Sequence, residues 1–138
     1  MSPLEKFIDF YTDFNKEKMG QIHDLYANDV TFIDPVKDLE GIIELEKYFR
    51  NISKNLISCY FEFFSICEIE SQAYLSWKMH FSNSRLSKGK TLLVHGVSYI
   101  KFDSEKILYH RDYYDMGEMI YENVSPLSWI IKKIKKCL

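Results

Sequence analysis

The stretch from Leu56 onward most narrows what this chain can become. Leu56 to Glu70 is long and rich in aromatic and β-branched residues. Gln72 to Phe81 follows a Glu-Ser pair, Thr91 to Phe102 follows a polar loop, and residues 107–115 follow Asp103-Ser104. Long extended segments joined by such short links become antiparallel neighbours. A sheet of that kind needs a second layer over one face.

The segment before it supplies the layer. Ser2, Pro3 and Glu5 form a capping box with proline at the first helical position. Leu4, Phe7, Ile8, Tyr11 and Phe14 follow at helical spacing. After a break near Asn15, a second helix is predicted with Met19, Ile22, Leu25 and Tyr26 on its apolar side. Val30 to Asp34 reads as a short strand stopped by Pro35. Gly41 precedes a third helix with Ile42, Leu45, Phe49 and Ile52 in register. The pattern predicts an α+β fold in residues 1–115: three N-terminal helices packed over one face of a curved antiparallel sheet.

Residues 116–138 read as a separate helical extension. Ser125-Pro126 marks a helix start, and Leu127, Ile130, Ile131, Ile134 and Leu138 form an apolar stripe. Lys132, Lys133, Lys135 and Lys136 lie mostly off the stripe and suit a helix C-terminus. Such an amphipathic helix is expected to pack on the domain or on a second subunit; a membrane-surface helix is the other option.

The function classes narrow next. A net charge of −2 argues against a nucleic-acid binder. Cys59, Cys67 and Cys137 show no metal-ligand spacing and are expected to be reduced thiols. The first ten residues carry charges where a signal peptide needs an apolar core, and no run of 18 apolar residues occurs. A cytoplasmic protein without stable membrane insertion is the expectation. The aromatic share of 16% can wall a ligand cavity.

The chemistry-bearing stretch is Ile107-Leu-Tyr-His-Arg-Asp-Tyr-Tyr-Asp115. On a strand, side chains alternate, so His110, Asp112 and Tyr114 share one face and Tyr109, Arg111, Tyr113 and Asp115 the other. An imidazole, a carboxylate and a phenol together can line a pocket capable of proton transfer. Trp77, Met79 and Phe81 share a face of their own strand and are candidate walls. His80 and His95 have the outward parity, which suits a sheet-to-sheet dimer surface. His23 is expected to be solvated near Asp24.

The order helix, helix, short strand ending in Asp-Pro, helix and four long strands resembles the SnoaL-like, ketosteroid isomerase-like branch of the nuclear transport factor 2-like superfamily. The resemblance rests on Leu25-Tyr-Ala-Asn-Asp-Val-Thr-Phe-Ile-Asp-Pro-Val36 followed by Gly41, and on His110-Arg-Asp-Tyr-Tyr-Asp115. It covers roughly residues 4 to 115. It implies a cone-shaped, mixed sheet with helices closing over a deep pocket. It also implies that Asp34 stands at the position of the isomerases' proton-abstracting carboxylate; the plain alternative is that Asp34 caps the turn before the third helix. At the isomerases' oxyanion-donor places this chain holds Phe10 and Ser98, with Tyr11 one residue off. The resemblance to polyketide cyclases implies Asp112 as a second acid/base beside His110, the alternative being a buried pair that fixes the sheet. Limonene epoxide hydrolases use an Arg and two Asp across adjacent strands; Arg111 and Asp112 face opposite sides, so that chemistry does not fit.

Two functions follow as expectations. In the first, Asp34 or Asp112 removes a proton next to a carbonyl of a small apolar compound, with His110 or Tyr114 steadying the enolate. Tyr11, Phe32, Trp77, Met79, Phe81 and Ser98 would contact the ligand, no metal or organic cofactor being called for, in a homodimer packed through its sheets. In the second, the same pocket belongs to a non-catalytic ligand-binding or interaction module.

Overall fold

A computed structural model describes residues 1–121 and 126–138 of the chain. Helix α1, Pro3–Thr12, starts at a capping box: Glu5 N donates to Ser2 Oγ at 3.1 Å and Ser2 N donates to Glu5 Oε2 at 2.9 Å. Its buried face, Phe7, Phe10 and Tyr11, lies on the sheet and on α3, Ile42–Ser53.

The expected second helix is shorter than its periodicity suggests. A 3-10 segment, Lys16–Gln21, leads into one α-helical turn, α2, Ile22–Leu25. Tyr26 already belongs to strand β1, Tyr26–Ile33, four residues earlier than the sequence reading placed it. Its partner is Ile107, so sheet pairing overrides local helical spacing. Strand β2, Asp38–Glu40, was not foreseen. It returns antiparallel to β1 through the turn at Asp34 to Lys37, where Pro35 sits at the position that favours proline. Gly41, at φ +89°, starts α3 and donates its amide to Val30 O at 2.8 Å.

The long strands follow as expected: β3, Leu56–Ile69; β4, Gln72–Asn83; β5, Thr91–Phe102; and β6, Ile107–Tyr114. The order β2-β1-β6-β5-β4-β3 makes one open sheet of six strands. It is mixed because β1 runs parallel to β6. Register shifts interrupt β3 between Leu56 and Ser58 and between Phe63 and Ser65, and such bulges bend a strand. The core fills the concave side, where Leu75, Val94, Ile100 and Ile107 are fully buried beneath the helices.

After β6 a π-helical turn, Gly117–Tyr121, precedes helix α4, Leu127–Lys136. The helix start expected at Ser125 lies outside the described residues. None of α4's residues is buried. Among the described residues no helix is long and apolar enough to cross a membrane.

Candidate functional site

Strand parity decides what faces inward. On β6, His110 pairs with Ile100, Asp112 with Ser98 and Tyr114 with Gly96. On β4, Trp77 also pairs with Gly96, from the other side. A methyl group at Gly96 would come within 2.3 Å of Trp77 Cη2, so only glycine lets the indole lie across β5. The indole Nε1 then donates to Ser98 Oγ at 2.8 Å.

The inward residues meet α1 and α3 around an open cavity of about 250 Å³. Of the expected site residues, Asp34, Asp112, Tyr114, Tyr11, Phe32, Trp77, Met79 and Phe81 line it. Ser98 and His110 do not: they stand behind the wall, 3% and 1% exposed. Both act on the cavity through Asp112. Ser98 Oγ donates to Asp112 Oδ1 at 2.5 Å, and His110 Nε2 meets the same oxygen at 2.6 Å. Oδ2 keeps no partner among the described residues. A second hollow of about 320 Å³, bounded by Asp13, Lys16 and Ser53, lies beyond Phe14 and Cys59 and holds none of the expected site residues.

His110 continues the chain of hydrogen bonds. Its Nδ1 meets Tyr26 Oη at 2.8 Å, and Tyr26 Oη meets Tyr11 Oη at 2.5 Å. The rings of Phe7 and Phe32 pack edge-on against the imidazole, which seals it from water. Four buried or half-buried groups, Asp112, His110, Tyr26 and Tyr11, are thus linked in a row, and the two end residues both line the cavity. Tyr11 reaches the cavity although it lies one residue beyond Phe10, which packs into the core against Phe14 and Phe49.

Asp34 sits differently. Its Oδ1 accepts from the amides of Val36 and Lys37 at 2.8 and 2.7 Å, and its Oδ2 accepts from Tyr48 Oη at 2.6 Å. It both caps the turn and touches the cavity, with both oxygens engaged.

The phenols are held as neutral O–H groups. Burial pushes the Tyr48 hydroxyl well above the ordinary tyrosine range, aided by its bond to Asp34. Burial and the charges of Asp34 and Asp112 do the same to Tyr114. Tyr11 and Tyr26 are raised by burial as well. Neutral phenols donate hydrogen bonds rather than remove protons.

Tyr26 and Tyr48 were missed in the sequence. Helical spacing assigns Tyr26 to the second helix; a β1 that starts there puts it on the inward side with Val30 and Phe32. Tyr48 carried no signal beyond its place on α3, 14 residues after Asp34. Other expectations concern the outside. Arg111 lies over the Tyr113 ring at 5.0 Å, on the opposite face from Asp112, and Asp115 accepts from Gly117 N at 2.7 Å. His95 is exposed and meets Glu118 at 3.2 Å; His80 pairs with Glu62. His23 is half-exposed but bonded to Glu46 at 3.0 Å rather than solvated alone.

The family model described as SnoaL-like domain matches residues 7–110. No curated protein matches the chain significantly. Solved structures do. A hypothetical protein with a ketosteroid isomerase-like fold from Catenulispora acidiphila, in complex with trimethylamine, aligns over 92% of this chain and 95% of its own. Its TM-score is 0.74 at 12% identity. A protein from Shewanella putrefaciens, provisionally named a SnoaL-like polyketide cyclase, aligns over 85% and 90% with TM-score 0.72 at 17% identity. An epoxide hydrolase of Mycobacterium tuberculosis, of the limonene epoxide hydrolase-like type, aligns over 95% and 93% with TM-score 0.70 at 12% identity. At these identities the likeness is one of fold.

Proposed function

This chain belongs to the SnoaL-like domain family, and we propose that it is a cofactor-independent acid/base catalyst that moves a proton next to a carbonyl of a small, mainly apolar compound. One observation carries the reading: Asp112 lines the cavity with its Oδ2 unpartnered among the described residues, while the buried Ser98 and His110 hold its Oδ1. A base held in place with one oxygen free is what proton abstraction needs. Asp34, with both oxygens engaged, is better suited to shaping the cavity.

The step is simple to balance. Oδ2 of Asp112 takes the proton from carbon, and the electron pair moves onto the carbonyl oxygen as an enolate. Tyr114, whose hydroxyl has no partner among the described residues, donates to that oxygen. The proton then returns to another atom of the same substrate. His110 sets the far end. With its hydrogen on Nε2, Nδ1 accepts from Tyr26, Tyr26 accepts from Tyr11, and Tyr11 turns a lone pair to the cavity. One more proton on the imidazole reverses the chain, and Tyr11 then offers its O–H as a second donor.

A second reading has its own observation. The cavity wall holds two carboxylates and several rings, among them Tyr11, Phe32, Trp77 and Tyr114, with no Lys, Arg or His among its lining residues. Rings and carboxylates without a competing cation suit a small ammonium group, and the Catenulispora relative is in complex with trimethylamine. In this reading the protein is a non-catalytic binder of a small amine.

Thermal shift against a metabolite library separates the two, since a specific ligand stabilises the folded state by mass action. Carbonyl compounds that stabilise the protein and are turned over, with turnover lost in Asp112→Asn, support catalysis. Turnover that survives both Asp112→Asn and Asp34→Asn removes it. Stabilisation by alkylammonium ions alone supports the binder.

We also propose a homodimer through the outer sheet face, where Tyr60, Phe64, Tyr74, Leu93, Val97 and Tyr113 are exposed. Exposed surface rich in aromatic side chains favours a protein interface.

A further inference from the structure

We propose that α4 docks on an anionic phospholipid surface as a peripheral, non-spanning helix. At 100° per residue, Leu127, Ile130, Ile131, Ile134 and the following Leu138 fall within roughly 100° of arc. Four of these five are exposed, at 40% for Leu127, 42% for Ile130, 52% for Ile134 and 101% for Leu138. The fold therefore leaves most of this apolar stripe uncovered.

Charge names the occupant. The segment 127–138 carries four lysines and no acidic residue. The whole chain has 18 Lys and Arg against 20 Asp and Glu, which leaves 14 against 20 elsewhere, a net of −6. A +4 helix on an otherwise acidic protein is a segregated charge. Lys133 and Lys135 border the stripe on its two sides, and Lys132 and Lys136 lie across from it. Lysines flanking an apolar stripe can bury their stems and keep their ammonium groups at the phosphate level. Four to eight such cations on an amphipathic helix match an anionic lipid surface.

Position gives the docking a use. The π-helical turn Gly117–Tyr121 contacts α4, and its Met119 lines the cavity. A surface held by α4 therefore lies one element away from the cavity wall, where an apolar ligand dissolved in the bilayer would be delivered. This use rests on the proposed function; the docking itself does not.

The full chain should co-sediment with phosphatidylcholine vesicles containing phosphatidylserine and not with phosphatidylcholine alone, and 0.5 M NaCl should release it. At about fivefold in partitioning per lysine, Lys132→Gln with Lys136→Gln should weaken binding roughly 25-fold. Ile130→Glu with Ile134→Glu should abolish it without lowering the Tm, because α4 buries no side chain. Light-scattering mass of both variants should equal that of the parent. Absence of anionic-vesicle binding overturns the proposal. So does a fall in mass for Ile130→Glu with Ile134→Glu, which would assign the stripe to a second copy. Vesicle binding with no loss in either double variant also overturns it. Failure of the catalytic reading leaves all these outcomes readable, because none measures turnover.

Discussion

Removing one hydroxyl tests the buried chain behind the cavity. In Tyr26→Phe the oxygen that meets His110 Nδ1 at 2.8 Å and Tyr11 Oη at 2.5 Å disappears. Tyr11 lines the cavity, so water can replace its lost partner. His110 is 1% exposed and cannot be rescued in that way. An unpaired buried polar atom costs about 1–3 kcal/mol, and phenylalanine recovers part of that because it is cheaper to bury than tyrosine. A net loss of about 2 kcal/mol is expected, or roughly 6–8 °C in Tm for a domain of this size. Tyr11→Phe keeps the Tyr26–His110 bond and should cost under about 1 kcal/mol. The double variant should fall short of the sum, because both changes break one shared bond. Urea melts of the four proteins give the cycle, and nitrogen chemical shifts of His110 report whether Nδ1 has lost its partner. A Tyr26→Phe protein as stable as the parent, with unchanged His110 shifts, would refute the linked chain.

Three further outcomes are expected. Gly96→Ala forces the Trp77 ring aside and breaks its bond to Ser98; a loss of about 1–3 kcal/mol is expected from overpacking. Buried-tryptophan fluorescence should change with it, Trp77 being 2% exposed and Trp129 65%. Burial pushes the Cys59 thiol from 9.0 up to about 12. The folded state thus holds this proton more tightly, so its contribution is full below pH 9 and lost as pH rises towards 12. Stability should fall by about 1.4 kcal/mol by pH 10, and Cys59→Ala should flatten the fall in denaturant midpoints. Val97→Arg with Tyr113→Arg should halve the mass seen by light scattering if the outer sheet face joins two subunits; an unchanged mass rules that interface out.

The strands were legible because nothing competes with them: from Leu56 onward the chain alternates, and its turns are short. Inward parity of His110, Asp112 and Tyr114 followed from that alone. What parity cannot give is depth. Ser98 shares the inward face, yet the Trp77 indole covers it, and only the cross-strand contact with Gly96 makes that cover possible. Tyr26 was misread because Met19, Ile22 and Leu25 keep helical spacing up to it, whereas parallel pairing with Ile107 is a contact over 81 residues. β2 escaped notice because Asp38 and Glu40 are poor strand formers; its pairing is imposed by the Asp34 turn. Asp34 fits both of its sequence readings, turn cap and cavity residue, and it took the Tyr48 contact to show that no free oxygen remains.

Hydrogen exchange at carbon probes the proposed base most directly. The protein would be incubated in D2O with small cyclic ketones, and loss of the proton next to the carbonyl would be followed by NMR. Washout faster than the buffer rate with the native chain, returning to the buffer rate in Asp112→Asn and persisting in Asp34→Asn, is the predicted result. Equal washout with native protein and Asp112→Asn would contradict it.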